Sequence, residues 1–214
     1  MRDSIHRYFQ IGTIQWMSYP GVPALETLEK LGADDFFDAV EVCQIHDDEE
    51  RAKAKQVLAQ SGLKVCYGAQ PRLLGPGLNP NAVDEDERKK AEQTLLEAVD
   101  EAEYLGAGGI AFLAGKWDKE TKEEAYQQLL KTTRAVCSYA AEKNMNVELE
   151  VFDYDMDKMA LIGPAPLAAR FAADMRLSHS NFGLLVDLSH IPMIHETIEE
   201  SILPVKDYII HAHM

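Results

Sequence analysis

Three stretches in the second half of the chain put carboxylates and imidazoles where an apolar run ends. "NVELEVF" (146–152) carries Glu150, "FGLLVDLSH" (182–190) carries Asp187 and His190, and "YIIHAHM" (208–214) carries His211 and His213. Each run reads as a buried β-strand whose last residues turn polar. Two carboxylates and an imidazole suit a divalent cation. Mg²⁺ and Mn²⁺ favour oxygen, imidazole extends the range to Co²⁺ and Zn²⁺, and no thiolate is needed. In "HAH" both rings fall on one side of a strand, so a single ion needs only one of them; His213 lies nearer the strand end, with His211 beneath it. His190, past the end of its strand, is placed to touch a substrate oxygen or to move a proton. Taken singly, each residue has an ordinary explanation: Asp187 could cap a helix or close a turn, Glu150 could pair with Lys158 while Glu148 competes for its role, and His211 could be a hydrogen-bonded core histidine. Their joint occurrence at three consecutive strand ends is what points to a site.

The elements that must position these groups alternate along the chain. Strand-like segments at 11–17, 39–45, 63–69, 108–115, 146–152, 182–188 and 208–214 are separated by helical patterns at 24–32, 47–62, 85–107, 119–144, 165–178 and 192–204. In the third pattern Leu95, Leu96, Val99, Ala102 and Leu105 recur at helical spacing, so one stripe packs and the other meets water. Gly32, Gly62, Gly106 and Asn144 read as left-handed caps that end helices. Strict alternation with nearly continuous apolar strands predicts a parallel sheet covered on both faces. A doubly wound sheet and a (β/α)₈ barrel both fit. The turn after the first strand, "SYPGVPA", holds no glycine-rich phosphate cradle, which favours the barrel. In a barrel, functional groups gather at the C-terminal ends of several strands, where Glu150, Asp187 and the two histidines fall.

Composition narrows the function classes. The chain has 214 residues, 46% apolar and 27% charged, enough for a substantial single domain. No run approaches the ~20 apolar residues of a spanning helix, and the opening "MRDSIHRYFQ" lacks the apolar core of a secretory signal, so a cytoplasmic protein without a membrane partner is expected. Cys43, Cys66 and Cys137 are odd in number and widely spaced, and read as small buried residues of a reduced compartment. The formal charge is −15, from 36 acidic against 21 basic side chains, which argues against a nucleic-acid partner. Much of the acid lies in "HDDEE" (46–50) and "DEDERKKAE" (84–92), read as helix starts. Gln15, Gln70 and Arg72 lie near the first and third strand ends as candidate sugar contacts; for Arg72 the readings are a phosphate ligand or an ordinary surface arginine.

Glutamate in "VELEVFDYD", Asp-x-x-His in "GLLVDLSH" and His-x-His in "IIHAHM" together resemble the xylose isomerase-like TIM barrel family, which holds sugar isomerases, ketose 3-epimerases, inosose dehydratases and endonuclease IV. The stretch "DEDERKKAEQTLLEAVDEAEYLGAGGIAFLAG" is similar to the family's third helix and fourth strand, so the likeness covers nearly the whole chain. The segment "DKMALIGPAPLAARFA" is similar to a subgroup known as sugar phosphate isomerases or epimerases.

The resemblance implies one divalent ion (Mn, Mg, Co or Zn) on Glu150, Asp187 and His213, with Glu150 and His190 catalytic. His190, His211 and Glu41 would line the pocket for a small sugar or sugar phosphate. The implied reaction is proton removal beside a carbonyl, as in an isomerase or epimerase. An inosose dehydratase-like lyase and a non-catalytic sugar-binding barrel are the alternatives. An endonuclease-like reading needs histidines at the second and third strand ends, where only His46 is near. The family's eighth strand adds a second glutamate, and residues 1–214 read as one barrel domain lacking that last β/α unit at the C-terminus; a second copy completing the barrel is a further option.

Overall fold

The computed structural model describes residues 4–214; residues 1–3, part of the opening stretch read for a leader, lie outside the described residues. Its seven strands are β1 (Gly12–Ile14), β2 (Ala39–Val42), β3 (Lys64–Gly68), β4 (Gly109–Leu113), β5 (Asn146–Val151), β6 (Phe182–Asp187) and β7 (Ile209–His213). They pair in chain order, every pair parallel. This is the α/β architecture of a TIM barrel through seven of its eight units, and β1 and β7 are the sheet's two edges among the described residues. Eight helices connect the strands: α1 (Gln15–Ser18), α2 (Ala24–Gly32), α3 (Asp48–Ser61), α4 (Gln70–Leu74), α5 (Glu85–Leu105), α6 (Lys122–Glu142), α7 (Ala165–Arg176) and α8 (Ile198–Ile202). None is long and apolar enough to cross a membrane.

Local chemistry explains the element ends. Asp47 caps α3 by accepting the Glu50 N–H at 2.8 Å, and Asp84 caps α5 by accepting from Asp86 and Glu87, so both acidic clusters do start helices. Gly62, Gly106 and Asn144 take the expected left-handed conformation, at φ 74°, 84° and 57°. Gly32 does not. Helix α2 runs through it into a right-handed Ala33, and the residue's value is space, since a Cβ there would stand 3.0 Å from Ser61 Cβ.

Three expectations about regular structure are corrected. The first strand stops at Ile14 because Ser18 turns back, its hydroxyl donating to the Ile14 carbonyl at 2.8 Å and meeting Thr13 Oγ1 at 2.7 Å, which closes the turn α1. The pattern over 192–204 is broken. A 3₁₀ turn at Ile191–Ile194 ends on a left-handed His195, and a capping box between Thr197 and Glu200 starts α8 afresh. An extra short helix, α4, follows β3.

Register decides what faces inward. Glu41 is paired with Cys66, Gly68 with Ala111, Ala111 with Glu148, Glu150 with Leu185, Leu185 with His211 and Asp187 with His213. Paired residues of parallel strands point the same way, so Glu41, Glu148, Glu150, Asp187, His211 and His213 share one face. On β7 this needs a register shift beside Leu184 and Leu185 that leaves Ile210 unpaired and re-aims both histidines. Ile210 lies over Gly183, where an added Cβ would meet its side chain at 2.5 Å.

The loop after β5 is knitted by one buried side chain. Asp153, 1% exposed, accepts N–H bonds from Asp157, Lys158 and Met159 at 2.7–3.0 Å. Burial works against its charge, but these bonds outweigh it and hold its pKa below the ordinary 3.8. A folded-state pKa that is depressed contributes stability above the unfolded value and loses it as pH falls through the folded one. Asp153→Ala is therefore expected to cost about 1–3 kcal/mol in chemical denaturation. In limited proteolysis the wild-type loop is expected to lose protection only below about pH 3.8.

Candidate metal centre

Strands β5, β6 and β7 bring Glu150, Asp187 and His213 together, with one ligand atom from each lying within 4.8 Å of the others. Glu150 is 3% exposed, while Asp187 and His213 are half-buried at the open end of the sheet. Each is oriented by a second contact. Gln70 Nε2 donates to Glu150 Oε2 at 2.8 Å. Asp187 Oδ1 accepts the Ser189 N–H at 2.7 Å, so the turn that could have explained Asp187 occupies only one of its oxygens. His213 Nε2 lies 3.2 Å from Glu41 Oε2, and its Nδ1 lies 3.9 Å from Glu150 Oε1.

The His213 ring is partly desolvated, which disfavours its charge. The hydrogen bond to Glu41 and the charges of Glu41, Glu150 and Asp187 outweigh that and raise its pKa above the ordinary 6.5.

His190 stands beside this trio. Its Nε2 is 3.6 Å from both Glu150 Oε1 and Asp187 Oδ2, its ring lies over Phe152 at 4.0 Å between centroids, and its buried Nδ1 has no partner among the described residues. His211 turns the other way: Nδ1 meets Glu148 Oε2 at 2.7 Å, leaving Nε2 4.0 Å from Glu41 Oε2. Glu41, His211 and His213 form a second group of potential ligand atoms, sharing His213 with the first. Among the described residues the salt-bridge partners of Glu41, Glu148, Glu150 and Asp187 are all histidines, with no lysine or arginine.

Several sequence readings meet a different outcome. Lys158 pairs with Asp157, not Glu150. Arg72 is neither a phosphate ligand nor a surface residue. It is buried against Glu101, with Nε donating to Tyr67 Oη at 2.9 Å, so α5 rather than the site takes its charge. His46 is exposed and belongs to neither group of potential ligands. Gln15 and Gln70 are both buried. Cys137 is buried, whereas Cys43 and Cys66 are only half-buried, and all three are free thiols.

The family model described as xylose isomerase-like TIM barrel matches residues 25–214. No curated protein sequence matches the chain. Among solved structures, D-psicose 3-epimerase with D-tagatose from Clostridium cellulolyticum H10 superposes with a TM-score of 0.77 at 18% identity, covering 96% of this chain and 72% of that one. An AP endonuclease, family 2, from Brucella melitensis gives 0.79 at 16% identity over 95% and 78% of the two chains. The 3-keto-D-glucoside 4-epimerase from E. coli gives 0.73 at 18% identity over 95% and 78%. At these identities the likeness is one of fold.

The Glu41 contact makes a measurable claim. In the metal-free protein, Glu41→Gln is expected to move the His213 pKa down toward its ordinary value, read by NMR titration of the ring; an unmoved titration would show that Glu41 does not hold this imidazole.

Proposed function

The chain belongs to the xylose isomerase-like TIM barrel family, and from that premise we propose that it is a sugar isomerase or epimerase that removes a proton from carbon beside a carbonyl. Residues 1–214 would form one domain, with a single divalent ion on Glu150, Asp187 and His213. The observation that carries this reading is the convergence of those three side chains within 4.8 Å in a pocket whose carboxylates have no lysine or arginine partner among the described residues.

The donor set fits such an ion. A buried carboxylate without a counter-charge is costly, and a cation held by Glu150 and Asp187 would relieve that cost. A ligating histidine commonly has its second ring nitrogen held by a carboxylate, and His213 has Nε2 on Glu41 while Nδ1 faces Glu150. This arrangement favours the Glu150 trio over the group built on Glu41, because the Glu41 oxygen nearest His213 is already engaged. When bound, the ion supplies Lewis-acid polarisation of the carbonyl and the neighbouring hydroxyl.

The chain's own residues do the rest. Gln70 fixes Glu150 through Oε2, leaving Oε1 on the side of His190 and His213, in position to take the carbon-bound proton. His190 Nε2, 3.6 Å from Glu150 Oε1, is placed to hand a proton to, or take one from, the adjacent substrate oxygen. Phe152 excludes water from one face of that ring. A nucleic-acid substrate suits this pocket poorly, since its rim is anionic and the chain carries −15 overall.

The test is exchange of a carbon-bound proton with solvent deuterium on a panel of ketoses, their phosphates and inososes in the presence of Mn²⁺, with product analysis separating isomerase, epimerase and lyase. Glu150→Gln is expected to slow exchange by about 10²–10⁴-fold. Asp187→Asn and His213→Ala are expected to lower metal occupancy, read by elemental analysis, without loss of the folded near-UV signal. Full occupancy in both would sink the ligand assignment.

A further inference from the structure

We propose that the chain has a second cation position, built from Glu41, His211 and His213, that takes Zn²⁺ and excludes the catalytic ion because both positions need the same imidazole. It goes beyond the sugar reading and rests on it only for the placement of the catalytic ion on Glu150, Asp187 and His213.

Ligand atoms of Glu41, His211 and His213 lie within 4.8 Å of one another. Glu41 Oε2 is 3.2 Å from His213 Nε2 and 4.0 Å from His211 Nε2. Zinc bonds of about 2.0–2.2 Å at tetrahedral angles set neighbouring ligand atoms about 3.4 Å apart, so small side-chain adjustments bring all three onto one ion. A separate contact prepares His211 for this. Its Nδ1 lies 2.7 Å from Glu148 Oε2. An ionised carboxylate only accepts, so Nδ1 carries the proton and the lone pair of the neutral ring stands on Nε2, toward Glu41. A carboxylate behind a histidine in this way is the usual support of a metal ligand.

The two nitrogens of His213 face different carboxylates. Nε2 meets Glu41, and Nδ1 lies 3.9 Å from Glu150 Oε1. With the proton on Nε2, Glu41 accepts it and the Nδ1 lone pair serves the catalytic ion. With the proton on Nδ1, Glu150 is the acceptor at hand and the Nε2 lone pair completes the Glu41 position. Each carboxylate is a ligand in one tautomer and the support of the ring in the other. A neutral imidazole has a single lone pair, so an ion on one side removes the third ligand from the other.

The donor sets differ in kind. Two carboxylates and one imidazole suit Mn²⁺ or Mg²⁺, whereas two imidazoles and one carboxylate form a His₂Glu set that favours Zn²⁺ and leaves a fourth place open. Among the described residues the salt-bridge partners of Glu41 are these two histidines, so no lysine or arginine competes with an ion there. Zinc at the Glu41 position therefore acts as a brake: it takes His213 away from the catalytic ion, and its release gives His213 back.

Mn²⁺ binding to the full chain is followed through the EPR signal of free Mn²⁺, and Zn²⁺ binding by calorimetric titration. Zinc is expected to expel Mn²⁺ one for one. His211→Asn keeps a donor for Glu148 but lacks Nε2; it and His211→Ala are expected to weaken Zn²⁺ by about tenfold or more and to leave the Mn²⁺ affinity at its wild-type value. Asp187→Asn is expected to do the reverse. If both His211 variants hold Zn²⁺ as tightly as wild type, if the two ions bind together, or if Asp187→Asn weakens Zn²⁺ as much as Mn²⁺, the second position is overturned while the catalytic-ion assignment stands. If Asp187→Asn holds Mn²⁺ as tightly as wild type, that assignment falls, and the His211 variants alone decide the zinc position.

Discussion

The sheet concentrates negative charge on one face and supplies almost no positive charge to balance it. Glu41, Glu148, Glu150 and Asp187 converge there with His190, His211 and His213, and among the described residues their ion-pair partners are these histidines alone. Like charges in a partly dry environment repel strongly, so a fold that holds them together must fix each one by hydrogen bonds. The arrangement is stable only because rigid strands set the spacing. It remains electrostatically hungry for a cation, which makes the proposed metal part of the folding balance as well as of the chemistry.

The scaffold that imposes this spacing works at a distance. Glu101 on α5 accepts the Ile45 N–H at 2.8 Å just past β2 and binds Arg72 on α4, while Tyr67 of β3 donates to it at 3.1 Å. One buried carboxylate thus ties the end of β2, strand β3 and helix α4 to helix α5. Helix α4 also carries Gln70, so the group that steadies Glu150 is itself anchored through Arg72 two residues later. A buried ion pair of this kind says little about net stability. Its use here is geometric, because it places an amide that must reach a carboxylate on β5.

Much of this was legible in the sequence for a simple reason. Strand periodicity and alternation with helices fix which face and which end a residue occupies, so Glu150, Asp187 and His213 could be brought to one rim without coordinates. The parallel sheet and the aspartate helix starts followed from equally local rules. What local rules could not reach was contact across long separations. Arg72 looked like a surface arginine because its partner, Glu101, lies on a different helix, and Lys158 looked available to Glu150 although its own neighbour Asp157 claims it. The register shift between β6 and β7 was hidden as well, since Ile210 is an ordinary strand residue whose displacement depends on the bare backbone of Gly183. Gln70 was visible as a polar residue at a strand end. Its hydrogen bond to Glu150 was not, because the two residues lie 80 positions apart.

The site's carboxylates follow one pattern that bears on how it discriminates. Asp187 has Oδ1 on a backbone N–H, Glu150 has Oε2 on Gln70, and Glu41 has Oε2 toward His213. In each, one oxygen is committed to the protein and the other faces the interior. A carboxylate held by one oxygen loses most of its rotational freedom before any ligand arrives, so less order has to be imposed on binding. The committed oxygen leaves each carboxylate with a single, directed acceptor. Directed acceptors distinguish hydroxyl positions, whereas a freely turning carboxylate would accommodate several. For the sugar chemistry proposed above, such fixed acceptors would favour selectivity over tolerance, with Gln70, Ser189 and His213 holding the carboxylates still.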